Sequence, residues 1–143
     1  MAAYSRDELA SAFTAMREIQ HAQDWSAYCD VFTDDAVYVE HALGTFEGRE
    51  AIREWLVPVM EPLVGWEYPE LWKAFGGDFV VFGWSNVLPT PVDDDGRYEF
   101  VGVTKLDYAG DGKWRRQEDI YNNEEMKDVL GRWLAAGGRL GSA

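Results

Sequence analysis

From Trp66 onward the chain offers four apolar-rich stretches, "WEYPELWKAF", "FVVFGWSNVLP", "YEFVGVTKLDY" and "KWRRQEDIY", separated only by "GGD", the loop "TPVDDDGR" and "AGDG". Runs rich in aromatic and β-branched residues bounded by Gly, Asp and Pro read as strands. Connections this short leave no room for crossover helices, so the second half is predicted to be a four-stranded antiparallel meander. A sheet of that size must bury one face, and only the first half of the chain and the extreme C-terminus can cover it.

The first half supplies helices. "SRDE" at 5–8 reads as a capping box, with Ser5 capping and Glu8 reaching back, ahead of Leu9, Ala12, Phe13, Met16 and Ile19 at helical spacing. That helix is expected to run to about residue 22. Trp25, Tyr28, Cys29 and Phe32 predict a short second helix, ended by "TDD" at 33–35. "VYVEH" at 37–41 then alternates like a strand. Ala51, Ile52, Trp55, Leu56, Val59 and Met60 share a helical face, with Pro58 expected to kink or end the helix near residue 57. Asn123 is expected to cap a last helix carrying Met126, Val129, Leu130, Trp133 and Leu134, and 136–143 to form a flexible tail. Helices, an early strand and a long meander make an α+β domain spanning 1–143, its curved sheet enclosing a cavity beneath the helices.

Composition narrows the function. Of 143 residues, seven are Trp, seven Tyr and seven Phe, enough rings for a dense core or an aromatic-lined pocket. A formal net charge of −13 repels phosphate backbones and anionic lipid surfaces, so neither nucleic acid nor membrane is an expected partner. Cys29 is the only cysteine, and it sits in an apolar helical pattern that favours core packing; the N-terminus has no signal-peptide pattern, and a cytoplasmic protein is expected. His21 and His41 are the only histidines and lie in different elements, so no metal or other cofactor is expected. "DDDG" at 93–96 lacks the ligand spacing of a calcium loop, and neither a phosphate loop nor a nucleophile elbow is present.

The polar residues worth weighing are Tyr38, Glu40 and His41 on the first strand, Trp84 and Asn86 on a middle strand, and Asp119 and Tyr121 on the last. Singly, each has an ordinary structural explanation: a solvated Glu40, a turn histidine, a charged strand edge. Together they carry more weight, because Gln117, Asp119 and Tyr121 alternate onto one face while Arg116, Glu118 and Ile120 take the other. Polar groups among aromatics on an inward face suit a ligand pocket. Two enclosed carboxylates, Glu40 and Asp119, would have their pKa values raised by desolvation and pushed apart by repulsion, giving an acid and a base near neutrality. His41 could replace Glu40 as proton carrier, since its ordinary pKa is ~6.5.

The order of elements and the phrase "DWSAYCDVFTDDAVYVEHALGTFEGREAIREWL", with "EDIYN" closing the last strand, resemble the nuclear transport factor 2-like superfamily, in particular its SnoaL-like branch, over roughly residues 5–134. The resemblance implies a cone-shaped curved antiparallel sheet closed by N-terminal helices around a deep apolar pocket, usually in a homodimer. Members include ketosteroid isomerases, limonene-epoxide hydrolases, scytalone dehydratases, polyketide cyclases and non-catalytic carriers. By similarity to the epoxide hydrolases, Tyr38 and Glu40 fall where a tyrosine and an asparagine hold the reacting water, and Asp119 on a pocket aspartate. The arginine and aspartate completing that site fall at Trp84 and Asn86, so the hydrolase set lacks two of its groups. By similarity to the isomerases, the general base falls on Glu40 or His41, and the oxyanion-hole pair near Met16 and Thr104, which cannot do the same work. The resemblance therefore implies cofactor-free acid/base chemistry on a small apolar cyclic molecule. Asp119 and Glu40 or His41 would be facing proton carriers, Tyr38 and Asn86 orienting donors, and Trp84, Tyr121, Met16 and Thr104 substrate contacts. The rival expectation is a ligand-binding or dimerisation module of the same fold without catalysis.

Overall fold

The protein was analysed as a computed structural model that describes residues 4–141; the expected tail residues Ser142 and Ala143 lie outside the described residues, as do the first three positions. Helix α1 (Arg6–Ala22) begins as expected, the Ser5 hydroxyl accepting from the Glu8 amide at 3.1 Å. Helix α2 (Trp25–Cys29) is capped by Asp24 and is followed by strands β1 (Phe32–Glu40) and β2 (Gly44–Glu47). Helix α3 (Arg49–Met60), the meander β3 (Glu70–Phe75), β4 (Phe79–Leu88), β5 (Tyr98–Gly110) and β6 (Lys113–Tyr121), and helix α4 (Asn123–Ala135) complete the chain. The turn between β5 and β6 places Asp111 and Gly112 at positive φ, the geometry whose twist matches a tight hairpin.

The six strands form one curved, open sheet in the order β2-β1-β6-β5-β4-β3. The meander is antiparallel as predicted, but β1 runs parallel to β6, so the sheet is mixed. No hairpin joins β1 to β6, and with the whole meander between them nothing local forces them to run in opposite directions.

Local details also differ from expectation. "TDD" lies inside β1, because α2 ends at Cys29 and the backbone extends from Phe32. Strand β2 was not foreseen; it is four residues long and mostly exposed, too short for a periodic signal. Helix α3 passes through Pro58 to Met60: the carbonyl that loses its partner belongs to exposed Glu54, where water can take its place. The cap of α4 is Asn122, not Asn123, its side chain accepting from the Glu124 and Glu125 amides at 3.0 and 3.1 Å. Of the expected tail, Gly141 donates its N–H to the Pro62 carbonyl at 2.7 Å.

Leu9, Phe13 and Met16 of α1 and Ile52 and Leu56 of α3 pack over the concave face of the sheet, meeting Phe32, Val80, Phe82 and Leu106. Phe13 and Phe82 meet edge to face with ring centres 5.0 Å apart. Cys29 belongs to this core, as expected, and burial pushes its thiol up to about 11, leaving it protonated and unreactive. The packing leaves a cavity of 260 Å³ between the sheet and the helices, lined from α1, α2, α3, the 63–68 segment and Met126 of α4.

Candidate active site

Strand register builds the polar wall of this cavity. Glu40, Asp119, Thr104 and Phe82 stand side by side across β1, β6, β5 and β4, and Tyr38 stands beside Gln117 one pleat away. Since alternate residues of a strand share a face, Tyr38 and Glu40 both turn inward, at 5% and 6% exposure, while Val37 and Val39 take the other side.

Asp119 is the centre of a hydrogen-bond network. Its Oδ1 accepts from Thr104 Oγ1 at 2.7 Å and from Gln117 Nε2 at 2.9 Å, and its Oδ2 accepts from the Tyr38 hydroxyl. Each donor is itself held. Thr104 accepts from Trp84 Nε1 at 2.7 Å; Gln117 accepts from the Tyr28 hydroxyl and donates a second bond to Tyr38 at 2.8 Å. The Trp84 ring occupies the space beside Gly102, where a Cβ would come within 2.2 Å of it. Burial raises the Asp119 pKa above the usual carboxylate range, against the three hydrogen bonds that favour the anion, with the nearby Glu40 adding to the rise. Burial likewise raises the Tyr38 and Tyr28 hydroxyls well above their ordinary value, so both remain protonated donors.

Glu40 is held separately. Its Oε1 accepts from the Ala42 amide and its Oε2 from the Tyr121 hydroxyl, both at 2.7 Å. Glu40 and Asp119 are register neighbours on adjacent strands, ~4.8 Å apart along the sheet. They share one wall, so the expectation of two carboxylates facing each other across the pocket is corrected.

Two other expectations are corrected. His41 does not enter the cavity: one residue beyond Glu40 it projects outward, more than half exposed, with Nε2 2.7 Å from Glu118. Met16 has no exposed surface; its Sδ lies 3.7 Å behind the Tyr28 hydroxyl, in the core and not on the wall. Trp84, Asn86, Thr104 and Tyr121 do border the cavity, and the Asn86 amide enters none of the bonds described above. Several polar residues of the cavity are not among the candidates from sequence, Gln117 and Arg17 foremost. Gln117 lies on the face that its alternation predicts, and Arg17 of α1, for which the sequence analysis makes no assignment, is buried at 7% exposure.

The model of the SnoaL-like domain matches residues 12–117. The chain belongs to that family. Its match ends two residues before Asp119, so membership establishes the fold and leaves the network to be read from geometry. No curated protein matches the chain. Among solved structures, TerC co-crystallised with polyporic acid is 20% identical with a TM-score of 0.68, over 85% of this chain and 97% of the other. An LEH-like epoxide hydrolase from M. tuberculosis is 20% identical with a TM-score of 0.71, over 91% and 94%. A protein from Shewanella denitrificans OS-217 described as a SnoaL-like polyketide cyclase is 17% identical with a TM-score of 0.72, over 90% and 99%. These likenesses share a fold whose members include cyclases, isomerases and epoxide hydrolases.

Proposed function

We propose that this SnoaL-like protein is a small-molecule enzyme performing cofactor-free acid/base chemistry on an apolar cyclic substrate, with Asp119 as the proton carrier. The observation that carries this reading is a carboxyl group of raised pKa on the wall of an aromatic-lined cavity, oriented by three donors that are themselves fixed. The likeness to proteins described as a polyketide cyclase and an epoxide hydrolase supports the same class.

The hydrogen bonds support a division of roles. Oδ1 already accepts twice and Oδ2 once, so Oδ2 keeps one lone pair for a substrate proton. A carbon next to a carbonyl gives its proton to that lone pair; its C–H electrons move into the new C=C bond and the carbonyl oxygen becomes an enolate. Tyr38 is committed to Asp119, Trp84 to Thr104 and Tyr121 to Glu40, so among the sheet residues around Asp119 the Asn86 amide is the uncommitted donor, and it is assigned to that oxygen. Return of the proton to another carbon isomerises the substrate; attack of the carbanion on a second carbonyl carbon of the same molecule closes a ring, the electrons of that C=O bond passing to its oxygen, which takes the proton back from Asp119.

Deuterium exchange at the α-carbon of 2-tetralone in D₂O, followed by NMR, tests the reading. The Asp119→Asn variant should exchange ~10²–10⁴-fold more slowly than the parent, the usual contribution of a general acid/base. Equal rates in the two would remove Asp119 from the chemistry and favour a binding module.

An apolar strip on the outer face supports the expectation of a second copy. Trp72, Gly83, Val103 and Ile120 are register neighbours there, and Trp72 and Ile120 are about half exposed. Ile120→Lys should convert a dimer to a monomer in sedimentation; a parent that is already monomeric ends that proposal.

A further inference from the structure

The cavity has a second polar end, which carries a cation and no carboxylate among its described lining residues. Arg17 stands on its wall from α1, its guanidinium 5.0 Å above the Phe82 ring. One of its N–H groups donates to Gln20 Oε1 and another to the Tyr68 carbonyl. The remaining N–H groups make no bond among the described residues, and no described carboxylate comes within ion-pair distance; the acid nearest in effect, Glu70, is taken up by Lys73 at 3.5 Å. A buried cation without a counter-charge is expensive, and arginine keeps its charge at neutral pH.

A second observation lies beside it. The segment carrying Trp66 and Tyr68 is tied to α1 by the Arg17 bond and by Gln23 donating to the Trp66 carbonyl at 2.8 Å. Trp66 Nε1 and the Tyr68 hydroxyl are buried with no hydrogen-bond partner, and both residues border the cavity. Burial raises the Tyr68 pKa, so this group too stays a donor. Unpaired buried donors normally have a partner, and here two of them belong to side chains that border the cavity beside Arg17. The β1/β6 wall is the opposite: the Asp119 and Glu40 carboxyls accept and the donors around them are committed.

We propose that the ligand of this cavity is an apolar ring system bearing an ionised oxygen group, such as a carboxylate, and that Arg17 with Trp66 and Tyr68 receives that group. This deepens the acid/base reading and rests on the cavity being a small-molecule site. The anion anchors one end of the ligand on α1 and the 66–68 segment, which leaves a neutral carbon acid of the ring system for Asp119. The same polarity gives orientation, since a ligand turned end for end would bring its anion against Asp119 and Glu40.

Calorimetry with 2-naphthoate and its neutral isostere 2-naphthamide tests this at low salt. The parent should bind naphthoate at least about tenfold more tightly than naphthamide, Arg17→Met should bring the two within about twofold, and Asp119→Asn should keep the preference. If Arg17→Met fails to fold by circular dichroism, Arg17→Gln replaces it. Equal or tighter binding of naphthamide by the parent, or an undiminished preference without Arg17, overturns this proposal while leaving the acid/base reading intact. Binding of neither probe by the parent overturns both.

Discussion

Asp119 and Glu118 are consecutive carboxylates on β6, and the structure treats them in opposite ways. Glu118 turns to the outer face, where Arg116 at 2.9 Å and His41 at 2.7 Å hold it, and those bonds lower its pKa. Asp119 turns inward, among neutral donors and aromatic rings, and burial raises its pKa. The same pleat separates Glu40, bonded to Tyr121 inside, from His41, outside. Chemical type alone therefore says little about which residue can move a proton at neutral pH; the face of the strand decides it, because the outer face gives Glu118 adjacent cationic partners and the inner face gives Asp119 neutral donors and burial.

The comparison breaks most readily by exchanging the two residues' fates. Asp119→Asn should slow tetralone exchange by ~10²–10⁴-fold, whereas Glu118→Gln should leave the rate within about twofold, since its partners lie on the far side of the sheet from the cavity. Equal losses in both variants would mean that the two faces are not functionally distinct.

A smaller effect is expected where the inner network is weakened without touching the carboxylate. Thr104→Val removes one donor from Asp119 and leaves Trp84 Nε1 buried without an acceptor. An orphaned buried group costs ~1–3 kcal/mol, so chemical denaturation should detect the loss, and the Asp119 titration should move further upward. An unchanged titration would show that Thr104 holds Trp84 and does nothing for Asp119.

How much of this was legible in the sequence follows the same divide. The alternation of Gln117, Asp119 and Tyr121 against Arg116, Glu118 and Ile120 was visible, and the meander followed from its turns. In "VYVEH" the alternation left both faces open, and only the resemblance pointed Tyr38 and Glu40 inward; the choice between Glu40 and His41 needed the actual strand. That Glu40 and Asp119 are neighbours depends on the parallel β1–β6 pairing, which no turn encodes. Arg17 was missed because a charge on an amphipathic helix is usually solvated. The signal was its position: it follows Met16 directly and lies one turn beyond Phe13, on the buried side of α1.

Titration sharpens the comparison without any substrate. By carboxyl ¹³C NMR, Asp119 should titrate above the ordinary aspartate value of ~3.9 and Glu118 below the ordinary glutamate value of ~4.3. The consequences for stability have opposite signs. Glu118 stabilises the fold above its ordinary value, and that contribution is lost as pH falls through its depressed one; Asp119 takes stability away as pH rises from its ordinary value to its raised one. Exchange catalysed by the Asp119 carboxylate should grow across that latter interval. Both groups titrating near 4 would remove the contrast between the faces.

The smallest effect is expected at His41. Its ion pair with Glu118 is exposed on the histidine side, and Arg116 remains beside Glu118 when the imidazole is gone. Exposed pairs are worth ~0–1 kcal/mol and are screened by salt, so His41→Ala should cost no more than that, and the difference should shrink at high ionic strength. The Glu118 titration should move up toward its ordinary value, because one of the two bonds lowering it has been removed. Tetralone exchange should not change, since the imidazole points away from the cavity and its partner shares no bond with Asp119. A rate loss in His41→Ala comparable to that in Asp119→Asn would show that the outer face feeds protons to the inner one, and the division of labour across β1 and β6 would have to be abandoned.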